Sequence, residues 1–248
     1  MRLRPLAALL LLVASGSAGA ADLVVSAAAS LTDAFQAVGK AYEAKHPETR
    51  VVLNLAASDV LLRQIASGAP ADVFASADQT AMDKAAAAKA IDPATRQDFA
   101  RNGLVLIVPR GNPAKVSGPR DLGGPAVKRV AYGDPASVPA GRYTKAALEQ
   151  LTLWQAVSAK GVLAQNVRQA LDYVARGEVD AGFVFSTDAT VARDRVDVAA
   201  TVPTPTPISY PIAVVAGSKQ PKDAAAFEAF VQSPEGRRIL AGFGFQAP

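Results

Sequence analysis

Short apolar strands alternate with amphipathic helices along nearly the whole chain, and no other feature restricts the fold as much. The first strand is Leu23 to Ser26. Leu31, Phe35, Val38 and Tyr42 then recur at intervals of three or four, the spacing of a helix that His46-Pro47 ends. Strands follow at Arg50 to Leu55, Asp72 to Ser76 and Leu104 to Pro109, with a helix from Val60 to Ser67 and another around Met82. The stretch Ile91 to Ala100 reads as a turn and a short helix. A second series places strands at Arg129 to Gly133, Ala181 to Phe185, Val196 to Val202 and Ile208 to Ala216. Its helices run from Arg142 to Leu151, from Asn166 to Arg176, and onward from a cap at Ser186 to Asp188. Helices at Asp223 to Val231 and Pro234 to Leu240 close the chain. This pattern predicts an α/β fold of mostly parallel sheets flanked by helices. Such folds bind ligands beyond the carboxyl ends of their strands. Composition breaks near Arg101-Asn102-Gly103 and near Pro207 predict two lobes, 21–102 plus 209–248 and 103–208, with a cleft between them. One continuous domain is the alternative.

Residues 1–20 carry no part of that alternation. Arg2 and Arg4 precede the apolar run Leu6 to Val13, and small residues from Ser15 to Ala20 follow. This order is that of a cleaved export signal, and the apolar run is short for a membrane span. It predicts a periplasmic destination. Without Arg2 and Arg4 the formal charge falls by two from +4, and the remaining Lys and Arg form no stripe for nucleic acid. There is no cysteine, so stability rests on the core rather than on disulfides.

Two serines stand out against this background. Ser30, in Ala27-Ala28-Ala29-Ser30-Leu31-Thr32, lies between a strand and a helix, and Ser58, in Ala56-Ala57-Ser58-Asp59, repeats the arrangement. Either serine alone is most simply an N-cap. Together, at one sheet edge, two helix starts can hold an anion without a cationic side chain. Ala140, after Pro139 at a helix start, either lets backbone N–H groups approach a ligand or simply makes a tight turn, and Val167 near another helix start either offers its N–H or is a core valine. Phe185 ends a strand and packs either on a ligand or in the core. Tyr132, Tyr143 and Tyr210 read as half-buried structural tyrosines. Catalytic arrangements are thin. His46 is the only histidine and reads as a helix-end residue. A His/Cys metal site lacks its ligands, and no serine elbow is present. Asp72, Asp78, Asp134 and Asp188 each suit a turn or a cap, and Asp134 organises its own loop.

With these residues in place, the chain resembles the periplasmic molybdate-binding proteins, the soluble receptors of molybdate ABC importers. The resemblance runs from about Val24 to Phe245. It rests on AAASLTDAF at Ala27–Phe35, RQIASGAPADVFASAD at Arg63–Asp78, GDPASVPAGRYTKAAL at Gly133–Leu148, NVRQAL at Asn166–Leu171, VFSTDA at Val184–Ala189 and YPIAVV at Tyr210–Val215, in this order. It implies the two-lobed periplasmic solute-binding fold of type II, with a dianion buried between the lobes. It also implies the donors: the hydroxyls of Ser30 and Ser58 and the main-chain N–H groups of Ala140 and Val167. The fifth position is a tyrosine in several members and matches Phe185 here. That hydrogen bond is then missing, or a water or a neighbour supplies it. The second turn departs too, reading Ala57-Ser58-Asp59 where members often carry a serine-rich run. The resemblance implies a monomeric binding protein rather than an enzyme, without cofactor. Its ligand is molybdate or tungstate, held through oxygen with no direct ligand to the metal. Its partner is an ABC permease in the inner membrane. The competing ligands are sulfate and phosphate, the latter needing an acceptor for its proton, for which Asp59 is the candidate. An enzyme using the cleft aspartates is the alternative from another class.

Overall fold

The computed structural model describes residues 21–248, so the export signal read at 1–20 lies outside the described residues. The elements run β1 (Ala21–Ala28), α1 (Thr32–Glu43), β2 (Thr49–Ala56), α2 (Ser58–Ala66), β3 (Val73–Ala75), α3 (Gln79–Ala87), β4 (Gln97–Asn102) and β5 (Leu104–Pro109). They continue with β6 (Val130–Gly133), α4 (Pro139–Gln150), α5 (Trp154–Ser158), β7 (Gly161–Ala164), α6 (Val167–Ala175), β8 (Ala181–Phe185), α7 (Ser186–Val191) and β9 (Val196–Val202). The chain ends in β10 (Ile208–Val214), α8 (Pro221–Gln232) and α9 (Pro234–Gly242).

Two five-stranded sheets organise these elements into a two-lobed α/β fold. One has the order β2-β1-β3-β10-β4 and the other β7-β6-β8-β5-β9. The sheets are mixed, which refines the expectation of mostly parallel pairing. In the first, β1 runs parallel to β2 and β3, while β10 is antiparallel to β3 and β4. In the second, β6 runs parallel to β7 and β8, while β5 is antiparallel to β8 and β9. The antiparallel members are the strands that cross. The chain passes from β4 to β5 through Gly103 and returns from β9 to β10, and each crossing strand enters its new sheet against the βα units already there.

Local chemistry explains where elements begin. Pro139 opens α4 at the first helical position, where its missing N–H costs nothing. This start is three residues earlier than the one read at Arg142, and it puts Ala140 in the first turn. The α4 start is pressed onto the end of β6, because a Cβ on Gly141 would lie 1.9 Å from the Gly133 carbonyl oxygen. Only glycine permits that approach. The short helix expected within Ile91 to Ala100 is instead a single 3-10 turn, Pro93–Thr95, followed by β4. Phe99 and Ala100 are buried there as β4 pairs with β10, and tertiary burial overrides a weak local pattern. The sequence reading passes over α5 and β7, which are short. Strand β7 lies at a sheet edge with Leu163 exposed.

The closing helices pack on the first lobe. Phe227 of α8 meets Phe35 and Tyr42 of α1 edge-on at 6.1 and 5.3 Å between centroids. His46 stacks on Tyr42 at 4.2 Å, with Nδ1 3.4 Å from Glu48, and lies far from chemistry. Full burial of a phenylalanine such as Phe227 is worth about 1.5–3 kcal/mol.

Glu228 of α8 is 4% exposed and its Oε1 has no hydrogen-bond partner. Burial, aided by the negative charge of Asp92, pushes its carboxyl up to about 8. The folded protein therefore holds a proton there that the unfolded chain releases above about 4.5. Stability from this group is full below that value and is lost as pH rises through about 8. Thermal melts should show the unaltered protein losing stability across this window and Glu228→Gln losing less. Equal losses in both would contradict the assignment.

Candidate functional site

The five residues singled out in the sequence line one small, tight cavity. Ser30 and Ser58 face it from the first lobe, with Ala29, Ala57 and Ala77 between them. Ala140, Val167 and Phe185 face it from the second, with Pro139 and Asn166. No Lys, Arg, Asp or Glu is part of this lining. Larger clefts of about 830 Å³ beside Arg142 and Tyr143, and about 530 Å³ beside Asp22 and Asp72, bring none of the five together. The small cavity alone of the three collects the helix starts.

Neither serine acts as the N-cap that its position offers. Ser30 is buried inside a 3-10 turn, Ala29–Leu31, that has no side-chain cap, and its Oγ lies 3.0 Å from the Tyr210 hydroxyl. Ser58 is the first residue of α2, after Ala57, and its Oγ accepts a hydrogen bond from the Ala77 N–H at 3.1 Å. Because that backbone N–H can only donate, the Ser58 hydroxyl proton is left to serve another acceptor. Helix α4 has no side-chain cap, and in α6 Asn166 accepts only from Gln169 N–H at 3.0 Å. The Ala140 and Val167 amides belong to first turns, where no intrahelical carbonyl can reach them. Four chain segments thus start beside one cavity with donors, and helix starts favour negative charge by about 0.3–1 kcal/mol each, up to about 2 when partly buried.

Phe185 ends β8 at the cavity. Its ring packs against Tyr143 and Tyr210 at 6.3 and 5.8 Å between centroids. Its N–H is taken by Asp188 Oδ2 at 3.2 Å. The three tyrosines expected to be half-buried are all buried, and Tyr210 is completely so.

Charge is kept just behind the lining and is paired. Arg142, two residues after Ala140, reaches the first lobe: its Nη2 donates to Asp59 at 2.6 Å and its Nε to Asp78 at 2.7 Å. Lys84 adds a 2.6 Å bond to Asp59. Asp59 is therefore engaged by two cations and does not line the cavity, which corrects its reading as an acceptor for a ligand proton. Arg168, one residue after Val167, donates from Nε to Asp188 at 2.6 Å and lies 2.7 Å from Asp33 of the first lobe. Burial lowers the pKa of each arginine, but the paired carboxylates raise it by more. Burial pushes Asp188 up to about 6, with Arg168 pulling the other way. The remaining aspartates are structural: Asp72 accepts from Val24 N–H and Ser218, Asp78 caps α3 at Ala81, and Asp134 accepts from Ala136 N–H.

Sequence reasoning missed Arg142, Arg168, Asn166, Asn102 and Tyr210. The position of the arginines just past two donor amides was a usable signal, and so was an asparagine before a helix. Nothing local marks Tyr210 or Asn102, which reach the site through the lobe crossings.

Known proteins share the family and the fold. The family described as bacterial extracellular solute-binding protein matches residues 23–246. The molybdate-binding protein ModA of Escherichia coli strain K12 is 40% identical over 232 residues, 90% of this chain and 88% of that protein. Two solved structures at lower identity share the fold. The periplasmic molybdate-binding protein of Azotobacter vinelandii superposes with a TM-score of 0.77 at 24% identity, covering 91% of this chain and 99% of that one. The sulfate-binding protein SubI of Mycobacterium tuberculosis H37Rv superposes with 0.80 at 21% identity, covering 92% and 87%. The fold and these relatives are those of binding proteins, not of enzymes.

The Arg142 bonds join the lobes, and each charge-assisted hydrogen bond is worth about 1.5–3 kcal/mol. Arg142→Met should let the ligand-free protein open, seen as a larger radius of gyration in X-ray scattering. An unchanged radius would contradict a latching role.

Proposed function

Because this chain belongs to the bacterial extracellular solute-binding protein family, we propose that it captures molybdate or tungstate in the periplasm and delivers it to an ABC permease in the inner membrane. The observation that carries this reading is the convergence of neutral donors from both lobes on one cavity without a charged side chain in its lining. A tetrahedral dianion at neutral pH only accepts hydrogen bonds. Donors from Ser30, Ser58, Ala140 and Val167 suit its four oxygens, and a buried donor left unpaired costs about 1–3 kcal/mol. The same rule disfavours hydrogen phosphate, whose own O–H would face donors while Asp59, next to Ser58 in the chain, is occupied. Sulfate is also acceptor-only, so cavity size separates it from molybdate. Tungstate, nearly the same size as molybdate, binds alike. Since donors come from both lobes, the full set exists only when the cleft is shut, and the anion favours the closed form. The Escherichia coli relative is a molybdate-binding protein, which supports the same ligand class.

Isothermal titration of the mature protein with molybdate, tungstate, sulfate and phosphate tests the reading. We expect one-to-one binding of molybdate and tungstate at similar affinity, weaker sulfate and no phosphate. Sulfate binding more tightly than molybdate would overturn the choice of ligand.

Single substitutions extend the test. Ser58→Ala should weaken molybdate binding about tenfold, as expected for one donor to a charged acceptor, with little change in melting temperature. Phe185→Tyr should tighten it several-fold, within the roughly 0.5–1.5 kcal/mol of one added hydrogen bond. Unchanged affinity in both variants would remove these residues from the site.

A further inference from the structure

We propose that Tyr210 and Asn102 are positioning residues that fix the direction of the Ser30 hydroxyl, making Ser30 a dedicated donor into the cavity; the inference rests on the oxyanion reading given above. The direction follows from one unambiguous bond. The backbone N–H of Gly103 lies 2.9 Å from Asn102 Oδ1, and a backbone N–H can only donate. That contact identifies which end of the Asn102 amide is oxygen. The Ser186 hydroxyl then donates to the same Oδ1 at 2.7 Å. The two protons on Nδ2 are left for Thr187 Oγ1 at 2.9 Å and the Tyr210 hydroxyl at 3.2 Å. Every polar valence of the Asn102 amide is used.

The consequence passes outward. Tyr210 accepts from Asn102, so its own proton is free for its other neighbour, the Ser30 Oγ at 3.0 Å. Tyr210 is fully buried, and burial, then the charge of Asp188, raises its pKa well above that of an ordinary phenol, so the proton stays on it. Ser30 Oγ therefore accepts from Tyr210, and its single proton must point elsewhere. The cavity is the open direction. Ser58 reaches the same state by a shorter route, through the Ala77 N–H. Both serines are thus held as donors before any ligand arrives.

The relay also has a place in the fold. Asn102 ends β4 and Gly103 makes the first crossing between lobes, Tyr210 lies in β10, the strand that the second crossing enters, and Ser186 and Thr187 follow Phe185. The orientation of one donor is set by the segments that join the lobes. This defines the ligand class as anions without a proton, because an O–H on the ligand would meet an O–H that cannot turn away without breaking the relay.

A double-mutant cycle tests the relay. Molybdate affinity is measured by isothermal titration for the unaltered protein, Tyr210→Phe, Ser30→Ala and the double variant, with melting temperatures of the ligand-free forms. We expect Tyr210→Phe to weaken binding about tenfold and to add almost nothing once Ser30 is alanine, because the two act as one unit. A role for Tyr210 in stability alone would weaken binding equally in both backgrounds, and additive effects would overturn the inference while leaving the oxyanion reading intact. Failure of the unaltered protein to bind any tetrahedral oxyanion would overturn both. Should Tyr210→Phe not fold, neutron diffraction of the unaltered protein decides. A deuteron on the Tyr210 oxygen directed at Ser30 supports the relay, and one on Ser30 directed at Tyr210 overturns it.

Discussion

An oxyanion held away from water must have its lost hydration replaced, and among the described residues no cationic side chain lines the cavity to do so. The replacement has to come from fixed dipoles. That requirement explains why the starts of α2, α4 and α6 and the 3-10 turn at Ala29 meet at one point. It explains the close seat of Gly141 against Gly133, which brings the first amides of α4 to the strand end. It also explains why small alanines surround the serines: any larger side chain would fill the space that the oxygens need.

Positive charge is present but held at one remove. Arg142 and Arg168 follow the donor amides by one or two residues and spend their charge on Asp59, Asp78, Asp33 and Asp188. All but the Arg168–Asp188 pair cross from the second lobe to the first, so the elements read as supplying donors also hold the lobes together. On the proposed reading, ligand capture and lobe closure are built from the same two helix starts. A free arginine in the cavity would bind any anion strongly and without discrimination by protonation. Neutral, oriented donors recognise acceptor-only oxygens.

Much of this was legible in the sequence because it depends on local chemistry. The period of the helices and the apolar strands placed Ser30 and Ser58 at helix starts, and the family resemblance joined Ala140, Val167 and Phe185 to them; the structure brings all five to one cavity. What was not legible depends on partners far along the chain. Strand β4 was hidden because its pairing with β10 spans the whole second lobe. The serines looked like caps, and only the approach of Ala77 and Tyr210 shows their hydroxyls otherwise engaged. Asp59 looked like a free acceptor until Lys84 and Arg142 were seen to occupy it. Mixed sheets follow from the crossings, which no local pattern announces.

The central claim is that the anion sits on these donors and on no charged group. A crystal structure of the mature protein with molybdate, its metal located by anomalous scattering, tests this most directly. The account predicts one metal between the lobes, with its oxygens within hydrogen-bond distance of the Ser30 and Ser58 hydroxyls and the Ala140 and Val167 amides. An anion found instead in the open cleft, bonded to Arg142 or another cation, would contradict it.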